Sequence, residues 1–494
     1  MLWGCVVAFQ ACGLAAPVLQ TNLMAQSLTE QNTSVVTDQA LVMGDKKYGR
    51  TDFGRSINGL AFQQDALISF GGWQYFAFYD GARRLCLSRR ELPGIAWQTL
   101  RFSSYEFKTN DAHNVVSLGI SPLDGTIHLV YDGHGIAPTY FRRSKPGVAL
   151  HPAQTAWNEA AFEAQRNDIE PGKLLKSITY PRFFNSNNGE LQLTYRVGGS
   201  GIGDLWMLDY NAASGQWENS RQIDTRAGEW KDQWGISPTR SSYANGFQYS
   251  GDGKLHTTWT WRENNPGGNR DIGYAYSEDK GFTWKNNAGE IVGHAAPNTA
   301  AGVMGTQTPG LVVVPVSRKH GLINQQAQAV DGQNRVHVVM SHVTPESVPS
   351  AGFEWPSKAT WGAPAALRYH HYFRQKDGIW KHIELPFAAG SRGWLGFDAA
   401  DNAYFVFLSR APQPTDGDAS ALYFSGDLMV AMASPGADYG DWRIAYTKEG
   451  PYISEFRADP FRLRKEGVLS IMAQRQAPSD VFTSELSVVD LKLR

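Results

Sequence analysis

The sequence contains little cysteine. Of its three cysteines, Cys5 and Cys12 lie within the first 27 residues, which leaves Cys86 alone in the rest of the chain. A lone cysteine cannot close an intramolecular disulfide, and cysteine-rich zinc sites need several thiolates. The sequence therefore excludes a disulfide framework and a cysteine-rich zinc site. Cys86 stands between two leucines and is predicted to be a buried strand residue, not a nucleophile.

The chain also lacks an excess of charge of one sign, because 46 Lys and Arg residues oppose 47 Asp and Glu residues. No overall electric field draws nucleic acid or an anionic membrane toward such a protein. No segment after the first 27 residues has the roughly 18 uninterrupted apolar residues that a membrane span needs. We therefore expect neither nucleic acid nor membrane as a partner, and we expect a monomer.

Glycine, proline and aromatic residues are abundant instead, with 50 Gly, 24 Pro and 12% aromatic residues. This composition is typical of many short strands that are joined by tight turns, with aromatic rings packed between sheets. No convincing amphipathic helix is found in the sequence. The composition therefore predicts an all-β fold.

A turn followed by a short strand recurs along the chain. The copies are Asp124–His128, Asn188–Gln192, Asp252–His256 and, with two extra residues, Asp331–His337. The last residues of the first three copies lie 64 residues apart each time. A fixed period of this length is the signature of a repeat architecture in which each repeat is one small sheet.

Tryptophan closes polar turns at a similar spacing, at Trp97, Trp157, Trp217, Trp284, Trp380 and Trp442. The steps are 60, 60, 67, 96 and 62 residues. The long step predicts either one repeat without its tryptophan or an insertion around residues 343–365. Repeats of about 60 residues from residue 58 onward predict a seven-bladed β-propeller, with six or eight blades as alternatives.

One copy of the turn is nearly ideal, with the sequence S-E-D-K-G-F-T-W at Ser277–Trp284. It resembles the Asp-box, or BNR repeat, of sialidase-type propellers. In that turn the aspartate accepts hydrogen bonds from backbone amides, the glycine supplies a positive φ, and the tryptophan packs between sheets. The role predicted for this motif is structural.

Residues that recur at one position of the repeat are predicted to serve the scaffold. His128, His256 and His337 recur in this way, and we interpret them as packing residues. His113 and His134 do not recur, and they flank one hairpin so that both would lie at one rim of the ring. Tyr180 and Arg196 flank the hairpin of the next repeat in the same manner.

Long runs around these residues resemble the BNR-repeat polysaccharide lyases, in particular the ulvan lyases. The runs are DAHNVVSLGISPLDGTIHLVYDGHG, TYPRFF with LQLTYRVGGSGIGD, and KLHTTWTWRENNPGGNRDIGYAYSEDKGFTW. The similarity extends from SINGLAFQQDALISF, near residue 56, across most of the chain. The resemblance implies a seven-bladed propeller with site residues at His113, His134, Tyr180 and Arg196. One departure is Gly133, where the family pattern has a second histidine before His134.

The implied reaction removes the proton α to a uronate carboxylate and expels the oxygen at C4. It needs a cation for the carboxylate, a base for the C5 proton and an acid for the leaving oxygen. Arg196 fits the first role, because its guanidinium fork can hold a carboxylate. His113 and Tyr180 fit the proton transfers, with either as the base, and His134 fits a role in orienting or neutralising the uronate.

The implied substrate is ulvan, a sulfated polymer of rhamnose and uronic acid. Predicted substrate contacts are Asn114, Arg182, Arg240 and Arg262. The chemistry requires no cofactor. The resemblance implies a structural metal ion, zinc or calcium, near His256 and Asp271.

Residues 1–27 combine apolar and small residues without an acidic group, which is typical of an export signal, although a basic start is absent. We therefore predict a signal peptide or disordered leader over residues 1–27, a single propeller catalytic domain over residues 28–494, and a secreted or periplasmic protein.

Two other functions are compatible with a propeller of this kind. The first is a glycoside hydrolase that resembles the α-L-rhamnosidases, which use a histidine where this chain has Gln63-Gln64-Asp65. The second is a carbohydrate-binding propeller without catalysis, against which the two rim histidines, Tyr180 and Arg196 argue. A sialidase is disfavoured, because no arginine triad accompanies a glutamate-activated tyrosine.

Overall fold

The structure is a computed structural model. It describes residues 27–42, 57–58, 65–134, 138–232, 235–264, 268–297, 299, 302–344, 367–390, 392–409, 425–453, 455–478 and 481–494. The predicted leader lies outside the described residues except for its last residue. Among the described helices, none has the length and apolar character that a membrane crossing requires.

The described strands form seven large antiparallel sheets, the blades, together with two small strand pairs. Strand β1 (Leu28–Leu41) comes first in the chain. Blade one contains β2 (Leu67–Phe70), β3 (Trp73–Tyr79), β4 (Leu85–Glu91) and β5 (Gln98–Arg101). Blade two contains β6 (Val116–Ile120), β7 (Ile127–Asp132) and β8 (Thr139–Arg143). Blade three contains β9 (Ile178–Asn185), β10 (Leu191–Gly199), β11 (Ile202–Asn211) and β12 (Gln216–Gln222).

Blade four is the largest sheet. After β13 (Asp224–Thr225), β14 (Trp230–Asp232) and β15 (Gly235–Ser237), it contains β16 (Arg240–Tyr249), β17 (Leu255–Glu263), β18 (Asn269–Ser277), β19 (Thr283–Lys285) and β20 (Ile291–His294). After β21 (Met304–Gly305), β22 (Val312–Val314) pairs with β18. The small pairs are β13 with β21 and β14 with β15.

Blades five and six have four strands each. Blade five contains β23 (Ala327–Val330), β24 (Val336–Val343), β25 (Leu367–Arg374) and β26 (Trp380–Ala388). Blade six contains β27 (Trp394–Phe397), β28 (Ala403–Leu408), β29 (Ser425–Ala433) and β30 (Arg443–Ile453). Blade seven contains β31 (Arg457–Ala458), β32 (Val468–Gln474) and β33 (Thr483–Leu493), with helix α1 (Arg462–Glu466) between the first two strands.

The two ends of the described chain close the ring. Strand β1 pairs antiparallel with β33, from Leu28 opposite Leu493 to Leu41 opposite Thr483. The first described strand therefore completes blade seven, whose other strands come from the last residues. The seven sheets confirm the prediction of an all-β, seven-bladed propeller.

The 96-residue step between Trp284 and Trp380 does not contain a hidden blade, because these residues lie in the neighbouring blades four and five. The extra residues belong to β21, to β22 and to the connection between β24 and β25. The alternative of a blade without its tryptophan is therefore wrong for this step. Residues 345–365 of the predicted insertion lie outside the described residues.

The Asp-box at Ser277–Trp284 has its predicted structural role. The carboxylate of Asp279 accepts hydrogen bonds from the Ser277 hydroxyl at 2.8 Å and the Thr283 amide at 2.7 Å. Gly281 has a φ of +90°, and the side chain of Trp284 is fully buried. The repeated histidines are also buried, and the His128 ring packs edge-on against Trp217 of the next blade.

The inner strands of the blades surround a central channel, which contains a cavity of about 520 Å³. Each blade of a propeller begins at its inner strand, so the first residues of β2, β6, β9, β16, β23, β27 and β31 lie at one face of the ring. We call this the upper face. The connections from the second to the third strand of each blade reach the same face.

Candidate active site

The four residues predicted to form the site come together at the upper face. His113 precedes β6 and His134 follows β7 in blade two, while Tyr180 and Arg196 lie on β9 and β10 of blade three. The rings of His113 and His134 are stacked with centroids 4.3 Å apart. The ring of His113 lies 6.0 Å from that of Tyr180.

Tyr243, on β16 of blade four, extends this cluster and was not among the predicted residues. Its ring lies 5.9 Å from the ring of Tyr180, and the guanidinium carbon of Arg196 lies 4.3 Å from its centroid. The contact between blades three and four thus links Arg196 to Tyr180 through an aromatic ring. The repeat pattern could not identify Tyr243 as a site residue, because aromatic residues are common on the inner strands.

Asp111 joins the two histidines and was also missed as a site residue. One of its carboxylate oxygens lies 2.5 Å from Nδ1 of His113, and the other contacts Nδ1 of His134. The same carboxylate accepts the backbone amide of His113 at 3.0 Å, as in the turns that aspartate typically forms two residues upstream. The spacing Asp-x-His was the sequence signal that could have identified it.

Asn114 fixes the loop that carries His134. Its side-chain oxygen accepts the backbone amide of His134 at 2.7 Å, and its Nδ2 donates to the Thr109 hydroxyl at 3.0 Å. Asn114 is only 1% exposed. The residue predicted as a substrate contact is therefore a buried support beneath the histidines.

The position of Tyr180 depends on a β-bulge. The register between β9 and β10 shifts between Thr194 and Arg196, and Tyr180 has a φ of +57° at this point. A positive φ is unusual for a tyrosine, and bulges redirect side chains next to active sites. The next residue, Pro181, has no backbone N–H, so the bulge leaves no donor of this residue without a hydrogen bond.

Arg196 is held by several groups of its own blade. Its two terminal nitrogens donate to the Thr179 hydroxyl at 3.0 Å, to the Gly198 carbonyl at 3.3 Å and to the Gly199 carbonyl. Gly203 lies against it so closely that a Cβ there would stand 2.6 Å from its Cζ and Nε. Its Nε is buried and has no partner among the described residues.

Burial sets the protonation of the central residues. Burial lowers the pKa of His113 below its ordinary value, and this outweighs the opposing effect of the Asp111 carboxylate. Burial also raises the pKa of Asp111, but hydrogen bonds from His113 and His134 outweigh it and hold that pKa well below its usual range. An anionic carboxylate thus faces a neutral His113 ring at pH 7.

The pKa of Tyr180 is raised above its ordinary value, first by burial and then by the neighbouring Tyr243. The positive charges of Arg196, Arg392 and Arg262 act in the opposite direction without overcoming this effect. The phenol of Tyr180 is therefore protonated at neutral pH.

The other predicted substrate contacts lie in different surroundings. Arg182 lines both the central cavity and the pocket beside Tyr180, with its Nε 3.0 Å from Asp65. Arg262 donates to the Ser200 hydroxyl at 2.6 Å, and its charge acts on Tyr180. Arg240 is buried between Trp230 and Trp261 and is therefore a packing residue in this structure.

The structure does not bring the two predicted metal ligands together. His256 faces Tyr276 across the β17–β18 hairpin, whereas Asp271 lies beside Arg270, the partner of Trp261. Four or five residues of strand separate these positions, or about 15 Å. Both ring nitrogens of His256 have partners, in Tyr274 and Ser250, and Asp271 pairs with Arg240 at 3.6 Å. These two residues therefore do not fit one metal ion.

Comparison with known proteins agrees with this architecture. The sequence model of a BNR repeat-containing family member matches residues 73–388. The long isoform of ulvan lyase from Pseudoalteromonas sp. (strain PLSV) is 26% identical over 273 residues, which cover 46% of this chain and 26% of that protein. The short isoform from Alteromonas sp. (strain LOR) is 25% identical over 327 residues, or 53% of this chain and 59% of that protein. The matches thus span about a quarter of the long relative and less than two thirds of the short one.

Two solved structures share the fold over nearly the whole chain. The polysaccharide lyase Uly1 has a TM-score of 0.67 at 20% identity, covering 94% of this chain and 99% of that chain. The PL25 ulvan lyase bound to -[GlcA(1-4)Rha3S]- has a TM-score of 0.61 at 13% identity, covering 92% and 95%. Since the family model covers more than half of the sequence and the blades are those of a propeller, this chain belongs to the BNR repeat-containing family.

Proposed function

We propose that this chain is a polysaccharide lyase that cleaves ulvan by β-elimination at glucuronate or iduronate and leaves an unsaturated uronyl end. The observation that carries the proposal is the convergence of imidazole, phenol and guanidinium groups from adjacent blades at one end of the channel. The names of the relatives, which are ulvan lyases, support the choice of substrate.

In the proposed mechanism, His113 takes the C5 proton of the uronate. Its Nδ1 lies against the Asp111 carboxylate, which favours the tautomer with hydrogen on Nδ1 and a lone pair on Nε2. Because burial lowers the pKa of this ring, Nε2 of that tautomer carries no proton near pH 7. A neutral imidazole held by a carboxylate is a common general base.

Tyr180 then acts as the general acid. Its phenol stays protonated because burial raises its pKa, so it can donate a proton to the oxygen that leaves C4. As the C5 proton departs, the bond from C4 to oxygen breaks and a double bond forms between C4 and C5. The electron pair ends on the leaving oxygen, which takes the proton of Tyr180.

Arg196 supplies positive charge while the uronate carboxylate gains negative charge in the transition state. Three of its five N–H groups are donated to Thr179, Gly198 and Gly199 and hold the guanidinium in place, so Arg196 acts on the substrate carboxylate through its positive charge. The stacked ring of His134 lies beside His113 and completes the carboxylate pocket. A polymeric substrate does not cross a membrane, so this function also requires a secreted or periplasmic protein, as the pattern of residues 1–27 predicts.

Incubating the purified chain with ulvan tests the proposal. A lyase produces new ends that absorb ultraviolet light through the conjugated C4–C5 double bond. A hydrolase releases reducing ends without this absorbance, and a binding protein releases neither. Either of those results would contradict the proposal.

Two variants test the assigned residues. We expect Tyr180→Phe and His113→Ala to lower kcat by about 100-fold or more, because each removes a proton-transfer group. Tyr249→Phe is the matched control, since Tyr249 lines the other end of the channel and donates to Gln192 at 2.6 Å. Unchanged turnover in both site variants, with the propeller intact by circular dichroism, would remove these residues from the mechanism.

A further inference from the structure

A second polar cluster lies at the upper face on blades five to seven. Gln325 and Arg392 come just before the inner strands β23 and β27, and Glu455 and Arg457 lie at the start of β31. All four side chains belong to residues that are more than nine-tenths buried. None of them belongs to the predicted site, which occupies blades two to four.

Several polar atoms of this cluster have no partner among the described residues. They are Nε and Nη2 of Arg457, Oε2 of Glu455 and Oε1 of Gln325. Buried polar atoms are normally paired, and each exception calls for an explanation such as a ligand. Gln325 also has a φ of +57°, and strained residues of this kind cluster at ligand-binding positions.

The cluster faces the candidate active site. Gln325 lines the same pocket as Tyr180, Arg196 and Tyr243. The charge of Arg392 lowers the pKa values of both His113 and Tyr180. Arg457 lines the central cavity, and Arg182 lines both that cavity and the pocket of Gln325 and Tyr180, so the cluster adjoins the candidate site.

The balance of charge at this mouth is positive. Arg392 pairs with Glu455 at 2.5 Å, and Arg182 pairs with Asp65 at 3.0 Å, whereas within the described part of the chain the guanidinium of Arg457 donates to the Gly393 carbonyl alone, at 3.5 Å. Burial and the neighbouring arginines Arg182 and Arg392 lower the pKa of Arg457 to about 10, against the effects of Glu455 and Asp65. An anion placed here would relieve this repulsion.

We infer that Arg457, Arg392, Glu455 and Gln325 form a second subsite that binds an anionic sugar residue. Arg457, supported by Arg392, binds a sulfate ester or a carboxylate, and the free oxygens of Glu455 and Gln325 accept hydrogen bonds from sugar hydroxyls. The assignment of the anion to a neighbouring sugar of the same polymer rests on the proposed function. Binding of an anion by Arg457 does not.

Calorimetric titration of the full chain with inorganic sulfate tests the anion site without any turnover. We expect Arg457→Met to weaken sulfate binding by about tenfold or more, because one hydrogen-bonded charge is worth at least that factor. Arg464→Met is the matched control, since Arg464 lines the other end of the channel and pairs with Asp401 at 2.8 Å. It removes the same charge and is expected to change binding less than twofold.

The variant Glu455→Gln is expected to change sulfate affinity in the opposite direction, and it keeps the shape of the side chain. Removing this negative charge beside the anion should strengthen sulfate binding by several-fold. Equal sulfate affinity in the wild type, Arg457→Met and Glu455→Gln would overturn the inference, as would an equal loss in Arg464→Met. If Arg457→Met does not fold, the result for Glu455→Gln decides alone.

The source of the anion is resolved by comparing probes. Acetate in place of sulfate tests a carboxylate, and turnover of ulvan against chemically desulfated ulvan tests a sulfate ester. If the ester binds here, Arg457→Met raises KM for ulvan but not for the desulfated polymer, while a carboxylate predicts a rise for both. An unchanged KM for both polymers contradicts the assignment to the polymer. If the protein binds sulfate at this site but does not cleave ulvan, the proposed function is contradicted and the anion site is not.

Discussion

At the scale of single residues, the site depends on one carboxylate that holds two imidazoles. Asp111 contacts Nδ1 of both His113 and His134, which favours in both rings the tautomer with hydrogen on Nδ1. The ligand atoms of these three residues lie within 4.8 Å of one another. The hydrogen bonds among them account for this closeness.

The variant Asp111→Asn tests this role. An amide can donate to Nδ1, which would favour the opposite tautomer of His113 and leave Nε2 protonated, so we expect kcat on ulvan to fall by about 100-fold or more with little change in KM. The pH–rate profile distinguishes positioning from structure, because its acidic limb should move when the carboxylate is lost.

Asp168→Asn is a suitable control for this variant, since Asp168 pairs with Arg166 outside the site at 2.9 Å. Wild-type rates in Asp111→Asn would show that the carboxylate does not position the base. An unfolded protein would be recognised by circular dichroism and would call for Asp111→Glu instead.

At the scale of elements, blade five carries an unusual group of buried histidines. His342 and His370 are stacked with ring centroids 3.6 Å apart, His370 contacts His382 at 2.9 Å, and His337 contacts His371 at 2.9 Å. Burial lowers the pKa values of His342, His370 and His371, and that of His370 reaches about 4. These rings therefore pack as neutral groups between β24, β25 and β26.

Stability should depend on pH through this group. Between about pH 6.5 and pH 4 the unfolded chain binds protons that the folded chain does not, so stability is full above this range and is lost as the pH falls through it. His370→Gln should reduce that loss by about 2–3 kcal/mol, which denaturant titrations at pH 7 and pH 4.5 would measure. An identical loss in the variant and the wild type would refute the role of His370.

At the scale of the whole molecule, the ring is closed by its first described strand. Strand β1 supplies the outer position of blade seven, and its Glu30 also binds Lys448 of blade six at 2.8 Å. Because both ends of the described chain share one sheet, the ring cannot open at blade seven without breaking the pairing of β1 with β33.

Two truncations test this closure. Removal of residues 1–26 leaves β1 intact, so we expect no change in Tm. Removal of residues 1–42 exposes the edge of β33, and we expect a Tm lower by about 10 °C or more, together with aggregation. Scanning calorimetry and light scattering measure both effects, and equal behaviour of the two truncations would show that the ring does not need β1.

The repeat period predicted the number of blades because each blade is one local unit with its own turn signals. The period predicted the spacing of the tryptophans less well where a blade is enlarged. The 96-residue step reflects added strands in blade four and a longer connection in blade five. The proposed metal pair failed for a similar reason. His256 and Asp271 are close in sequence, but a strand carries them about 15 Å apart.

The sequence by itself determined the all-β repeat, with a period that fits seven blades, and the two histidines that do not recur, because turns and strand periods are local properties of the chain. Only the tertiary structure decided which side chains share a space, since Asp111, Tyr243 and the cluster of Arg392, Glu455 and Arg457 come from separate blades. Their proximity depends on the curvature of the ring and on the bulge at Tyr180. Neither feature produces a periodic pattern in the sequence.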